Sequence, residues 1–202
     1  MITIIDYELG NIKSVINAFD YLGVSTKVTN DKTIIKNSTK IILPGVGSFK
    51  KAMENIQRLG LEEIINELVL AKKIPVLGIC LGMQLLTESS DEDGFTIGFG
   101  YIEGKISRFK DNLKLNIPHI GFNSVNVNQD NILFKNIENN SDFYFVHSYK
   151  LEYEQKNYET GLTDYGEKFI STFQKENIFG VQFHPEKSQS NGLKLLKNFA
   201  NL

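Results

Sequence analysis

The stretch Val76–Leu86 reads V-L-G-I-C-L-G-M-Q-L-L, and its reading decides the fold. The unbroken apolar run from Pro75 to Ile79 has the composition of a strand buried on both faces. A helix-forming run from Cys80 to about Thr87 follows with no loop between them. Cys80 sits at the junction, flanked by Gly78 and Gly82. Small neighbours allow a sharp strand-to-helix turn that holds a nucleophile above a sheet. The helix start behind Cys80 favours a thiolate, and its free N–H groups, that of Leu81 first, can donate to an oxyanion.

Working towards the N-terminus, the same alternation recurs. Ile2 to Ile5 is strand-like, followed by Asp6 and a Gly10-Asn11 turn. Ile12, Val15, Ile16, Phe19 and Leu22 fall at helical spacing, and Gly23 marks a stop. Val24 to Val28 and Ile41 to Leu43 read as further strands, the latter ended by Pro44-Gly45. Helices are expected from about Ser48 towards Gln57 and from about Leu61 to Ala71. Strands alternating with helices imply βαβ units and a parallel sheet covered on both faces.

Towards the C-terminus the pattern changes. From about Phe95 to Phe183 strand-like runs predominate: Ile102–Ile106, Phe122–Val127, Phe143–Val146, Phe169–Phe173 and Ile178–Phe183. Turn signals stand at Asp91 to Gly94, Asn139-Asn140 and Asp164 to Gly166. A last helix is expected from about Ser188 to Ala200. The expectation is one α/β domain over residues 1–202, its mostly parallel sheet extended by antiparallel strands.

The bulk composition fits that class. The chain has 202 residues, 41% hydrophobic and 23% charged, with a formal charge of −2, enough to build its own core without staples. The absence of a basic excess argues against nucleic acid or an anionic membrane as partner. No apolar run reaches the roughly 18 residues of a membrane span, and no secretory signal is visible. The expected compartment is the cytoplasm. With one cysteine no internal disulfide can form. A lone cysteine is either a small buried hydrophobe or a candidate nucleophile, and the glycine-flanked elbow favours the second.

A thiol nucleophile needs a base oriented by a third group. The chain has three histidines, His119, His147 and His184. His184 lies in G-V-Q-F-H-P-E-K-S (180–188), directly after an apolar run. Pro185 stops that strand, and Glu186 is placed to accept from the imidazole and fix its tautomer. A triad of Cys80, His184 and Glu186 is therefore the expected catalytic set. His119 and His147 read as structural or binding residues. No pair of histidines has close metal-ligand spacing, so neither metal nor cofactor is expected. In I-I-L-P-G-V-G-S-F (41–49), Gly45 and Gly47 permit positive φ or close approach of a ligand, and Ser48 is a ready helix N-cap.

The three motifs P-G-V-G, G-I-C-L-G-M-Q and Q-F-H-P-E-K-S, in this order, resemble the class I (triad) glutamine amidotransferases. I-D-Y-x-x-G-N at the start, P-H-I-G-F-N (118–123) and F-V-H-S-Y (145–149) narrow the resemblance to the glutaminase subunits of imidazole glycerol phosphate synthases. The resemblance covers essentially the whole chain and implies a three-layer αβα, flavodoxin-like fold. It implies that Cys80 attacks the glutamine side-chain amide and that His184 serves the departing ammonia and then water. It further implies an oxyanion hole from Leu81 and the Gly45, Val46, Gly47 segment, and a glutamine pocket lined by Gly47, Gln84, Ser148 and Tyr149. The implied partner is a (βα)₈-barrel cyclase subunit that receives the ammonia, met near Asn11, Phe122, Asn123 and Lys187. Where such subunits commonly carry tryptophan this chain has Phe122, which keeps an aromatic face but loses the indole N–H.

Two other readings differ in what they require. A paralogue supplying ammonia to a surface-sugar pathway would keep every one of these motifs. A catalytically silent scaffold for a barrel partner would be marked by loss of the cysteine or histidine, and Cys80, His184 and Glu186 are all present.

Overall fold

The computed structural model describes residues 1–110, 115–127, 131–152, 154 and 156–202. The first half runs β1 (Ile2–Ile5), α1 (Ile12–Tyr21), β2 (Thr26–Thr29), α2 (Lys32–Lys36), β3 (Lys40–Leu43), α3 (Phe49–Arg58), α4 (Glu62–Asn66), β4 (Val76–Ile79) and α5 (Leu81–Leu85). Then come β5 (Thr87–Ser90), β6 (Thr96–Ile97), β7 (Ile102–Arg108), β8 (His119–Val127), β9 (Ser141–His147), β10 (Tyr149–Glu152), β11 (Glu159–Asp164), β12 (Lys168–Lys175), β13 (Ile178–Val181) and α6 (Gln189–Ala200).

The strands join in the order β2-β1-β3-β4-β13-β12-β10-β7-β5-β6, with β11 linking β12 to the β8–β9 pair. β2, β1, β3, β4 and β13 are mutually parallel. β12 is antiparallel to β13 and to β10, and β10 to β7. The C-terminal strand β13 thus inserts beside β4, in register Val181↔Ile79. This places the segment after β13 next to the segment after β4, so two motifs 100 residues apart meet at one sheet end. In open α/β sheets, sites form beyond the carboxyl ends of the strands.

Successive side chains of each strand serve opposite faces. Ile2 and Ile4 of β1 and Ile42 of β3 join Val15, Ala18 and Phe19 of α1 and Leu195, Leu196 and Phe199 of α6. Ile5, Ile41 and Leu43 join Ala52, Met53 and Ile56 of α3 and Ile64 and Ile65 of α4. This is the three-layer α/β/α arrangement the sequence implies, with the antiparallel strands added in its second half.

Several boundaries differ from the sequence reading. The second strand begins at Thr26 rather than Val24, because Gly23 (φ +69°) and Val24 close α1 instead. Val24 N–H donates to Phe19 O and Gly23 N–H to Asp20 O, the paired bonds of a Schellman end. The helix after Cys80 stops at Leu85, and Thr87 is already strand. Thr87 Oγ1 donates to Gln84 O, while the carbonyls of Leu85 and Leu86 are taken by Phe99, Tyr101 and Ile102. The expected helix from Leu61 to Ala71 widens into a π-helical turn at Glu67–Ala71. β8 begins at His119 rather than at the expected Phe122, and His119 pairs across to His147 in β9. α2, β5 beyond Thr87, β6, β10 and β11 lie outside the elements read from the sequence.

Candidate active site

The elbow is built by three glycines. Cys80 has φ +51°, ψ −106°, a conformation that costs a non-glycine residue roughly 1–3 kcal/mol and persists only when its surroundings hold it. Its N–H is held by Val181 O at 2.7 Å, and its carbonyl accepts from Gln84 N–H at 3.2 Å. A Cβ on Gly78 would stand 2.5 Å from Gly82 O, one on Gly82 1.9 Å from Leu43 O, and one on Gly45 2.5 Å from Leu81 Cβ. The helix α5 therefore sits directly on β3 and β4, a distance only glycine allows.

His184 and Glu186 follow β13 in a single 3₁₀ turn, Pro185–Lys187. Tyr144 O accepts from His184 N–H at 2.8 Å, and Ser188 Oγ donates to His184 O at 2.6 Å, so the backbone is fixed on both sides. Nδ1 is 2.8 Å from Glu186 Oε1, and both side chains are buried. Nε2 is buried without a partner among the described residues, leaving it as the position from which a proton can be handed on. Burial works against the imidazolium, but the Cys80 thiolate beside it and Glu186 outweigh that and push His184 up to about 10.

That shift has a consequence for stability. The folded-state value lies above the roughly 6.5 of an unfolded histidine. The stabilisation it brings is complete below pH 6.5 or so and is lost as pH rises towards about 10. Glu186→Gln removes one of the anions holding the charge. The expected result is a His184 titration midpoint lowered by about one unit or more, read from its imidazole resonances, and a correspondingly earlier loss of stability on the alkaline side. An unmoved midpoint would show that Glu186 does not hold the cation.

The sequence-predicted pocket residues meet in one place. Val46, Gly47, Cys80, Leu81, Gln84, Ser148 and Tyr149 line a pocket of about 290 Å³, joined by Glu92, Pro118, Val146 and His147. Gly45 lies behind this surface, against Leu81 and Gly82. Leu81 is the first residue of α5, so its N–H has no intrahelical acceptor. Both ends of the P-G-V-G segment are pinned. The Tyr7 hydroxyl donates to Pro44 O. Glu92 Oε2 accepts from Phe49 N–H at 2.8 Å, and Ser48 caps α3 as expected. Between the pins, Gly47 has φ +124° and Val46 is 38% exposed.

Glu92 is a pocket residue that the sequence reading missed. It brings a carboxylate to the pocket wall, and burial pushes its carboxyl up against the opposing effect of the Phe49 N–H. Its only sequence signal is its place in the Asp91–Gly94 turn, which a surface acid would share. Phe122, Tyr144 and Lys187 form a second cluster. Phe122, 51% exposed, meets the Tyr144 ring edge-on at 5.6 Å, and Lys187 Nζ lies 5.8 Å over that ring. Asn123 is half-buried beside Phe122, and Asn11 stands exposed at the start of α1, which packs on the Pro185–Lys187 turn.

A family model described as glutamine amidotransferase class-I matches residues 3–202. The chain belongs to the class I glutamine amidotransferase family. Over its whole length it is 46% identical to imidazole glycerol phosphate synthase subunit HisH 1 of Campylobacter jejuni subsp. jejuni serotype O:23/36 (strain 81-176), all of which is covered. It is 45% identical over 205 positions to subunit HisH of Leptospira interrogans, covering both chains fully. With subunit HisH 2 of Methanococcus maripaludis it shares 49% identity over 98% of each chain. The solved structure of PurLQS from Thermotoga maritima shares the fold, with a TM-score of 0.75 at 17% identity over 99% of this chain and 97% of that one. Among the described residues no helix is long and apolar enough to cross a membrane.

Proposed function

We propose that this chain is the glutaminase subunit of an imidazole glycerol phosphate synthase, acting in histidine biosynthesis. The observation that carries the reading is full-length identity of 42–49% to subunits of that name, in a chain whose Cys80, His184 and Glu186 meet beside a pocket sized for an amino acid.

The chemistry follows from the atoms. The Cys80 thiolate attacks the side-chain amide carbon of glutamine, and the carbonyl oxygen becomes an oxyanion. Leu81 N–H and an N–H of the Gly45–Val46–Gly47 segment stabilise that charge. His184, oriented by Glu186 through Nδ1, gives its Nε2 proton to the departing nitrogen, which leaves as ammonia. The thioester that remains is attacked by water, whose proton returns to His184, and glutamate is released with the thiolate restored. Both N–H groups of Gln84 are used within the protein, towards Tyr149 O and Gln182 Oε1, so Gln84 offers the substrate an acceptor oxygen. Glu92 supplies a carboxylate for the α-ammonium, with Gly47, Ser148 and Tyr149 completing the wall.

The whole of residues 1–202 forms this one domain, working in the cytoplasm, where a thiol stays reduced. Its partner is a cyclase subunit with a (βα)₈ barrel, bound as a heterodimer through the surface holding Asn11, Phe122, Asn123 and Lys187. Ammonia passes across that interface to make imidazole glycerol phosphate and an aminoimidazole-carboxamide ribotide. The exposed, glycine-bounded Val46 peptide is the part of the oxyanion hole free to turn, so glutaminase activity rises when the partner engages.

Two measurements test this. Expressed in a histidine-requiring strain that lacks this subunit, the chain restores growth without histidine; failure of a well-expressed chain would contradict the pathway. Steady-state glutamate release by the isolated chain should be at least about tenfold slower than in the cyclase complex with ligand bound. Equal rates would remove the gating.

A further inference from the structure

Gln182, two residues before His184, is fully buried, and the reaction as described leaves it without a task. Its side-chain amide bridges two groups. Nε2 lies 3.6 Å from Cys80 Sγ, and Oε1 accepts from Gln84 Nε2 at 3.0 Å. An amide can be turned end for end, so which end faces the sulfur has to be decided by its neighbours.

The neighbours decide it. A backbone carbonyl only accepts. Tyr149 O lies 3.0 Å from Gln84 Nε2 and 2.7 Å from His147 Nδ1, so both nitrogens carry hydrogen there. With its NH₂ end fixed by Tyr149 O, Gln84 directs its second N–H to Gln182, whose facing atom is therefore oxygen. The NH₂ end of Gln182 is then obliged to face Cys80. The same carbonyl orders the histidines. With Nδ1 donating, the neutral His147 accepts at Nε2 from His119 Nδ1 at 3.1 Å, and His119 Nε2 accepts from Asn123 Nδ2 at 3.3 Å. Burial holds both rings neutral, His119 at about 4 and His147 at about 3, so the sense of the chain does not reverse near neutral pH.

We propose that Gln182 is a further catalytic residue, donating its amide N–H to the Cys80 sulfur to stabilise and aim the thiolate, with Gln84, the Tyr149 carbonyl and the His147–His119 pair as positioning groups. The proposal deepens the glutaminase reading and rests on it. The titratable groups around the sulfur are His184 and Glu186 beyond β13, His147 at the end of β9, Tyr7 beyond β1 and Glu92 on the pocket wall. All of them remain when Gln182 is changed to methionine, which isolates the amide, whereas glutamate adds a carboxylate of its own beside the sulfur.

The test is the pH dependence of Cys80 alkylation by iodoacetamide, followed on the Cys80 peptide by mass spectrometry in the cyclase complex. This readout needs no glutamine turnover, so it separates failure of this proposal from failure of the glutaminase reading. Gln182→Glu keeps the shape, keeps an acceptor for Gln84 and turns a carboxylate oxygen, with its negative charge, towards the sulfur. The apparent thiol midpoint should rise by about one unit, with kcat lowered roughly 10- to 100-fold and KM within about twofold. Gln182→Met removes the donor at similar volume and should move the midpoint in the same direction by less. An unmoved alkylation profile in the folded Gln182→Met variant overturns the proposal, whatever happens to kcat and to the Gln182→Glu profile. The wild-type complex provides a check that needs no variant: the Gln182 side-chain amide protons should shift when Cys80 is ionised, and cease to respond to pH once it is alkylated. Resonances indifferent to both would overturn the proposal equally.

Discussion

Cys80→Ala is expected to lower glutamine-dependent turnover by about 1000-fold or more, the scale on which loss of a covalent nucleophile acts. In the same complex, synthesis from free ammonia should stay within about twofold of wild type, because ammonia bypasses every step that uses the thiol. The two assays together separate a lost nucleophile from a lost fold. The argument has a physical control at the same position. Alanine inherits the strained backbone of Cys80, φ +51° and ψ −106°, whereas glycine adopts that region at little cost. Cys80→Gly should therefore be as inactive as Cys80→Ala, yet more stable by about 1 kcal/mol in denaturant unfolding. Glutamine-dependent turnover surviving in either variant would remove Cys80 from the reaction. A glycine variant less stable than the alanine variant would show that the elbow is not strained.

The elbow was legible in the sequence because its cause is local. An apolar strand, two glycines and a helix-forming run within Val76–Leu86 are enough to set a strand–nucleophile–helix turn, and a proline after His184 sets the other half. The boundaries that moved did so for reasons that lie far along the chain. Thr87 leaves the helix because Phe99 to Ile102 return to bond the carbonyls of Leu85 and Leu86. β10 carries a lysine, Lys150, which is buried against the Phe109 ring at 5.7 Å and 3.7 Å from Glu167, so no alternating pattern marked it. The functional residues missed share that property. Glu92 becomes part of the pocket only because its turn folds back onto the N-terminus of α3. The orientation of Gln182 depends on Gln84, Tyr149, His147 and His119, which the sequence scatters over 65 positions and the β13–β4 and β8–β9 pairings bring together. Motif reading finds residues whose partners are neighbours in the chain; hydrogen-bond polarity needs the partners in space.

Gly82→Ala is expected to be severely damaging, because it strikes the contact on which both fold and site depend. A Cβ at position 82 would stand 1.9 Å from Leu43 O and 2.6 Å from Leu43 C. Those are backbone atoms of β3, held in the parallel ladder with β4 by the register Leu43↔Gly78, so they cannot swing aside as a flexible side chain could. Relief requires α5 to lift from the sheet. Lifting α5 carries Leu81 away from Gly45 and displaces the Cys80 carbonyl, which accepts from Gln84 N–H. Overpacking against an unyielding neighbour costs typically 1–3 kcal/mol and more when backbone must move, so a loss of about 3–5 kcal/mol is expected. For a chain of this size that lowers Tm by roughly 10 °C. The same displacement separates Leu81 N–H from the Gly45–Gly47 segment, the two sides of the proposed oxyanion hole. The fraction of Gly82→Ala protein that still folds should therefore show kcat reduced more than about tenfold, while alkylation of Cys80 becomes faster as the elbow opens. A Tm within 2 °C or so of wild type would mean that α5 has room to yield, and the close glycine packing would then no longer account for the geometry of the nucleophile.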